Sequence, residues 1–201
     1  MVSGPPGSGK SLLAQRIASR ACLPVISRDS LKGGVCFTHG GVPERIAALA
    51  AEPFWATLSS LSSAGVSLVA EWALRRSMVE EHLPALGALA DLRLVQCTAP
   101  REVLIDRIKG RLSADPDIRW PFPDAQVIAE LADGSFPLDD FTVTDKVPAA
   151  LTVDTTDFRG PDLTEILRFC FGGGDSRVAA PAPRRVTDST STDLEGEDAV
   201  A

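Results

Sequence analysis

Short, unbroken apolar runs alternate with stretches of helical period along the first 171 residues of the chain. The runs Met1 to Ser3, Pro24 to Ile26, Val66 to Ala70, Leu92 to Cys97 and Ala150 to Val153 are short and continuous enough for parallel strands buried on both faces. Between them, Leu13, Ile17 and Ala21 recur four apart, Glu44 to Ser60 keeps a helical period, and Val79 to Leu89 does so around Pro84. Proline lacks an N–H and crowds the preceding turn, so that third helix is expected to kink or shorten. Arg101 to Leu112 carries Leu104, Ile105, Ile108 and Leu112 on one face, and Leu163 to Phe169 follows Asp162, a residue suited to capping a helix. Strand and helix in alternation predict an α/β fold, a parallel sheet sandwiched between helices.

From Gly172 onward the text turns to small, polar and proline residues with no periodic apolar face. Six acids against three arginines after Gly174 make an acidic tail with too little apolar surface to order itself, so residues 172–201 are expected to stay disordered. The division is therefore one globular domain over 1–171 and a tail. Four cysteines, Cys22, Cys36, Cys97 and Cys170, lack metal-ligand spacing and read as reduced, mostly buried thiols. Glu71 and Arg75 interrupt the richest apolar stretch, so no membrane span is expected. With no secretory signal in the first residues, a cytoplasmic protein is expected. The net charge of −7 argues against long nucleic acid as a partner held by bulk charge.

The chemistry concentrates in Gly4-Pro5-Pro6-Gly7-Ser8-Gly9-Lys10-Ser11, which fits G-x-x-x-x-G-K-[ST] at every constrained position. A chance match in a chain of this length is on the order of 1%. The octet follows an apolar run and opens an amphipathic helix, an order that aims the peptide N–H groups of Gly7 to Ser11 and a helix N-terminus at a polyphosphate. Lys10 would reach the outer phosphates, and the Ser11 hydroxyl would ligate Mg²⁺. A glycine-rich turn that only caps a helix would account for the glycines but not for the adjoining Lys-Ser. Only Met1, Val2 and Ser3 precede Gly4, where about five strand residues are usual. Either the true start lies upstream or the central strand is short. No Asn-Lys-x-Asp follows, so GTP is disfavoured as the nucleotide.

On this octet, on Ile26-Ser27-Arg28-Asp29-Ser30-Leu31-Lys32, on Leu68-Val69-Ala70-Glu71-Trp72, on Arg107 with Arg111 and on Leu151-Thr152-Val153-Asp154-Thr155-Thr156-Asp157, the chain resembles the P-loop kinase-like group. That group includes nucleotide-acting kinases, polynucleotide 5′-hydroxyl kinases, chloramphenicol phosphotransferase, zeta toxins and AAA-domain ATP-binding proteins. The resemblance runs from Val2 to Cys170. It implies a three-layer P-loop NTPase sandwich with a five-stranded parallel sheet in the order 2-3-1-4-5, plus a lid. It implies ATP and Mg²⁺ as cofactors, with Gly4, Pro5, Pro6, Gly7, Ser8, Gly9, Lys10, Ser11 and Arg107 holding the nucleotide. It further implies transfer of the γ-phosphate to a hydroxyl of a small-molecule or nucleotide-type acceptor. An ATPase or nucleotide-dependent switch without an acceptor is the alternative.

In that sheet order Glu71 ends the strand beside the phosphate loop, and Asp29 lies one strand further out, roughly 10 Å from the loop. The resemblance gives Asp29 the role of orienting and deprotonating the attacking hydroxyl; capping of the following helix is the plainer reading. Glu71 reads either as an outer-shell contact to Mg²⁺, as a substrate hydrogen bond, or as an ion pair with Arg75 one turn on. Arg107 and Arg111 share a helix face, and the segment Ser113 to Gln126 that follows reads as a lid loop. There Arg111 would meet the transferring phosphate, Arg107 the adenine or α-phosphate, and Arg119 would be a further lid cation; two solvated surface arginines are the plainer reading. His39 is expected in a glycine-rich loop, His82 on a helix surface, and Phe54 with Trp55 in the core rather than in a pocket. Asp154 to Asp157 falls where the family contacts the base.

Overall fold

The computed structural model describes residues 1–114, 122–157 and 161–172. The tail beyond Gly172 and Arg119 lie outside the described residues. Five strands, β1 (Val2–Ser3), β2 (Val25–Ser27), β3 (Val69–Glu71), β4 (Leu94–Thr98) and β5 (Ala150–Asp154), form one sheet in the order 2-3-1-4-5. Every pairing is parallel, as the expected α/β sandwich requires. Eight α-helices are described: α1 (Lys10–Ala21), α2 (Arg28–His39), α3 (Pro43–Leu49), α4 (Ala51–Ser63), α5 (Arg76–Leu89), α6 (Arg101–Ala114), α7 (Asp124–Asp133) and α8 (Leu163–Phe171).

Successive strand residues point to opposite faces, and each face has its own apolar layer. Val69, Val95 and Val153 pack under α1 and α8 with Leu13, Ile17 and Ile166. Their neighbours Ala70 and Leu94 face the other way, onto Phe54, Trp55 and Leu58 of α4 and Val79, Leu83 and Leu86 of α5. Phe54 meets Trp55 and Trp72 edge-on at 5.2 and 5.1 Å between ring centres, so the aromatic pair fills the core as the sequence suggested. A third cluster, Leu104, Ile108, Leu131, Phe136 and Phe141, joins α6 to α7 and the segment after it.

The central strand is two residues long, yet Val2 pairs with Glu71 on one side and Val95 on the other. Both of its residues are buried. The edge strands depart from the expected burial on both faces: Val25 is exposed, and of β5 only Val153 is buried. β3 begins later than its apolar run. Gly65 is left-handed (φ 73°) and Val66 N donates to Leu61 O at 2.9 Å, so Val66 is used in the Schellman-type end of α4 rather than in the sheet.

Other boundaries differ for equally local reasons. The period from Glu44 to Ser60 is two helices, α3 and α4, broken at Ala50. Pro53 has no N–H for a continuous helix and is tolerated only in the first turn of a new one. α5, by contrast, is not shortened at Pro84 and runs on to Leu89, held to the core by Val79, Leu83 and Leu86. Two helices stand where loops were expected. α2 carries the chain through the glycine pair and ends at His39, with Gly40 turning it at φ 59°, while α7 takes up the expected lid loop from Asp124 onward and residues 115–121 of that loop lie outside the described residues. His82 is half-buried rather than a surface residue, its ring stacked on Trp55 at 4.6 Å. Among the described residues no helix is long and apolar enough to cross a membrane.

Of the four free cysteines only Cys97 is buried, and Cys22 is exposed. Burial raises the Cys97 thiol to about 12, so it stays protonated and unreactive at neutral and mildly alkaline pH. Thiol-reagent labelling at pH 8 is expected to modify Cys22 in the folded protein and Cys97 only after unfolding. Phe54→Ala, which empties the junction of α4 with Trp55 and Trp72, should lower the unfolding free energy by about 3–5 kcal/mol, read from denaturant curves.

Candidate functional site

The octet forms the turn between β1 and α1. Gly4, Gly7 and Gly9 take φ of 145°, 81° and 75°, values that side chains rarely adopt. A Cβ on Gly4 would lie 2.5 Å from Cys97 O, and one on Gly7 would lie 2.8 Å from Leu104 O. The loop is therefore pressed against β4 and α6 with no room for larger residues.

Its carbonyls are tied to the surrounding protein. Pro5 O accepts from Ser8 N at 3.1 Å. Thr155 Oγ1, fully buried just after β5, lies 2.7 Å from Ser8 O and 2.9 Å from Thr98 O. Arg107 Nη1 donates to Gly7 O at 3.3 Å, and Nη2 donates to Thr155 O and to Thr156 O. Neither Arg107 nor Arg111 is a solvated surface residue: Arg107 braces the glycine-rich loop against the β5 turn, and Arg111 Nη2 lies 3.7 Å from Asp124 Oδ1.

Tethered carbonyls leave the loop's amide side for a ligand. The first intrahelical bond of α1 is Leu13 N to Gly9 O at 3.1 Å. No side chain caps the helix, and its first turn holds no acid, so uncapped N–H donors and the positive end of the helix dipole face one place. The Ser8 hydroxyl is buried with no hydrogen-bond partner among the described residues. These features suit a bound polyphosphate.

Lys10 and Ser11 meet Glu71 at the mouth of the loop. Glu71 is 1% exposed and Lys10 6%, with Nζ 3.7 Å from Oε1. Ser11 Oγ donates to the same oxygen at 3.2 Å, and Ser27 Oγ donates to Oε2 at 2.6 Å. The register explains the meeting, since Glu71 sits opposite Ser27 on one side and Val2 on the other. The ion pair with Arg75 considered above is not formed. Arg75 Nε is 4.0 Å from Asp140 Oδ2, and the guanidinium lies over the Phe141 ring.

Asp29 is the second residue of α2, half-buried immediately after β2. The cap position falls on Ser27, and no side chain bonds the free amides, so capping does not account for Asp29. It acts instead on two cations of its own helix. Burial lowers Arg28 and Lys32 from their ordinary values, and the nearby Asp29 carboxylate opposes both shifts. Asp154 accepts from Thr156 N at 2.8 Å and from Thr156 Oγ1, bonds that hold its carboxyl below the usual range.

The structure thus gathers Lys10, Ser11 and Glu71 with the loop, sets Arg107 behind it, and pairs Arg111 of α6 with Asp124 of α7. Sequence reasoning missed Asp124 and Lys32, and it placed Thr155 in the segment read as a base contact without the bonds it makes to Ser8 O and Thr98 O. The signal for Lys32 was present, since it stands one turn from both Arg28 and Asp29 on α2. Thr155 and Asp124 carry no such signal, because only the packing of distant segments gives them their partners.

Neither a protein-family model nor a curated protein matches the sequence. Among solved structures the chain is similar to a candidate kinase from Chloroflexus aurantiacus, at 25% identity and a TM-score of 0.66, over 84% of this chain and 94% of that one. It is also similar in fold to a sugar kinase from Janibacter sp., at 19% identity and a TM-score of 0.53, over 84% and 89%. The fold is thus one that proteins named as kinases also adopt.

Ser27 Oγ makes the shortest bond to the buried Glu71 carboxylate, and loss of a bond to a charged group costs roughly 1.5–3 kcal/mol. Ser27→Ala is expected to lower stability by about that amount in denaturant unfolding.

Proposed function

We propose that the protein is an ATP-dependent phosphotransferase that moves the γ-phosphate of Mg²⁺-ATP to a hydroxyl of a small-molecule or nucleotide-type acceptor. The observation that carries this reading is the convergence of uncapped amides, Lys10, Ser11 and Glu71 at one end of the sheet. Ligands of parallel α/β folds bind at this carboxyl edge, and the likeness in fold to proteins named as kinases supports the reading.

Bound Mg²⁺-ATP would supply the transferable phosphoryl group and the charge of the metal. The chain's part is positioning and neutralisation. The loop amides and the Lys10 ammonium would offset phosphate charge, the Ser11 hydroxyl would hold the metal, and Glu71 orients both side chains from one buried carboxylate. Asp29 would accept the proton of the attacking hydroxyl as the hydroxyl oxygen bonds to the γ-phosphorus and ADP leaves with the electrons of the broken P–O bond. Arg111, half-buried at the α6–α7 junction, is the cation for charge developing on the transferred group. Arg107 holds the nucleotide side by fixing the loop and the β5 turn together.

ADP formation by purified protein with Mg²⁺-ATP, alone and with pooled hydroxyl compounds, tests this directly. ADP should rise with one pool only. Lys10→Ala should abolish it, and Asp29→Asn should lower kcat by roughly 10²–10⁴-fold while leaving nucleotide binding in place. Turnover that ignores every acceptor and survives Asp29→Asn would identify an ATPase or switch instead.

A further inference from the structure

Lys32 is the one buried side chain that α2 presents, at 6% exposure. Its ammonium lies 4.4 Å from the centre of the Phe122 ring at the entry to α7, and no hydrogen bond or ion pair to it is formed among the described residues. One turn earlier the Arg28 guanidinium lies 4.6 Å from the centre of the Trp72 ring. Its Nη2 donates to Ala47 O, while its Nε is buried with no hydrogen-bond partner among the described residues. Two cations are thus drawn out of water between aromatic walls, an arrangement that is expensive unless a counter-charge completes it.

Among the described residues the carboxylates in reach do not complete it. Asp124 lies near enough to Lys32 to favour its charged form but pairs with Arg111. Glu71 is occupied by Lys10, Ser11 and Ser27. Among the described residues Asp29 alone remains uncommitted to another cation for Arg28 and Lys32 together, and Lys10 and Arg75 add positive potential at the same end of the sheet. That carboxylate is the group assigned to the acceptor hydroxyl. Strand order sets this cluster apart from the phosphate loop, because α2 follows β2 and the loop follows β1, with β3 between them.

We infer that Lys32 and Arg28 form an oxyanion subsite beside Asp29, so that the acceptor is a hydroxyl compound that also carries a carboxylate or a phosphate. The inference rests on the phosphotransferase reading for the word acceptor, but the subsite stands on its own geometry. Charge-assisted bonds to an oxyanion would satisfy the Arg28 Nε–H and the Lys32 ammonium at once. A neutral polyol could accept hydrogen bonds there but would leave both charges uncompensated, which turns the cost of their burial into selectivity. The rings of Trp72 and Phe122 strengthen the contrast by keeping water from the cations.

The test pairs two measurements on the full chain. Intrinsic tryptophan fluorescence, with Mg²⁺-ADP present, follows titration with a neutral sugar, the corresponding sugar acid and the corresponding sugar phosphate. A fluorescent ATP analogue separately reports the phosphate loop. The acid or the phosphate should bind more tightly than the neutral sugar by about tenfold or more, and whichever does so names the source of the oxyanion. Lys32→Gln and Arg28→Gln should each remove that preference, Lys32→Arg should restore it, and the affinity for the ATP analogue should stay within about twofold throughout. Equal binding of neutral and anionic sugars, no binding of either anion, or a preference untouched by Lys32→Gln and Arg28→Gln would overturn the subsite. Failure of the wild-type chain to bind the ATP analogue would instead overturn the phosphotransferase reading, and the sugar titrations would still decide the subsite.

Discussion

Glu71 is a carboxylate almost wholly removed from water, at the end of a strand one position from the centre of the sheet. An ionised carboxylate in such a place is several kcal/mol worse off than in water unless it is paired and hydrogen-bonded. Here Lys10 supplies the charge and the hydroxyls of Ser11 and Ser27 supply the bonds. Those three residues come from the start of α1 and the end of β2, so one buried anion fixes the glycine-rich loop, the carboxyl edge of the sheet and the entry to α2 relative to one another. The candidate site has its shape because Glu71 must be satisfied.

A second set of bonds holds the loop from behind. Thr155 reaches Ser8 O and Thr98 O, and Arg107 spans Gly7 O and the carbonyls of the β5 turn. Glycines at 4 and 7 let the backbone come within contact of β4 and α6, where a Cβ would collide. With its carbonyls bonded to protein, the loop keeps its donors for a ligand, and rigid donors stabilise an anion without reorganising around it. The same logic in reverse applies at α2, where cations rather than donors are held in an apolar setting short of their counter-charge.

The parts of the site that are contiguous in sequence could be read from it. The octet gives the tight turn that opens α1, because backbone conformation and helix start are local properties of glycine, proline and their order. The sheet order came from the resemblance and agrees with the observed pairing. The apolar runs found all five strands, with shifted ends where Val66 was taken up in ending α4 and where Ser27 extended β2. Helix α7 was not legible, and α2 was legible only at its start, where Asp29 reads as a cap, and not in its run to His39. α2 contains Gly33 and Gly34, poor helix formers, and is held by Leu31 against the core; α7 is held by Leu131 against Leu104 and Ile108. Tertiary burial overrode local propensity in both.

By itself, then, the sequence determined the alternation that makes a parallel sheet covered on both faces, the turn that aims amides at an anion, and the presence of Lys10, Ser11, Asp29 and Glu71 as chemistry-bearing groups. Only the tertiary structure decided what those groups touch. Glu71 binds Lys10 rather than Arg75, Arg107 braces carbonyls, Arg111 meets Asp124, and Lys32 is buried beside Phe122. Each of those contacts joins residues from different elements, and sequence spacing fixes neighbours only within a helix or strand. Which distant side chain arrives is settled by strand register and by the burial that drives the layers together.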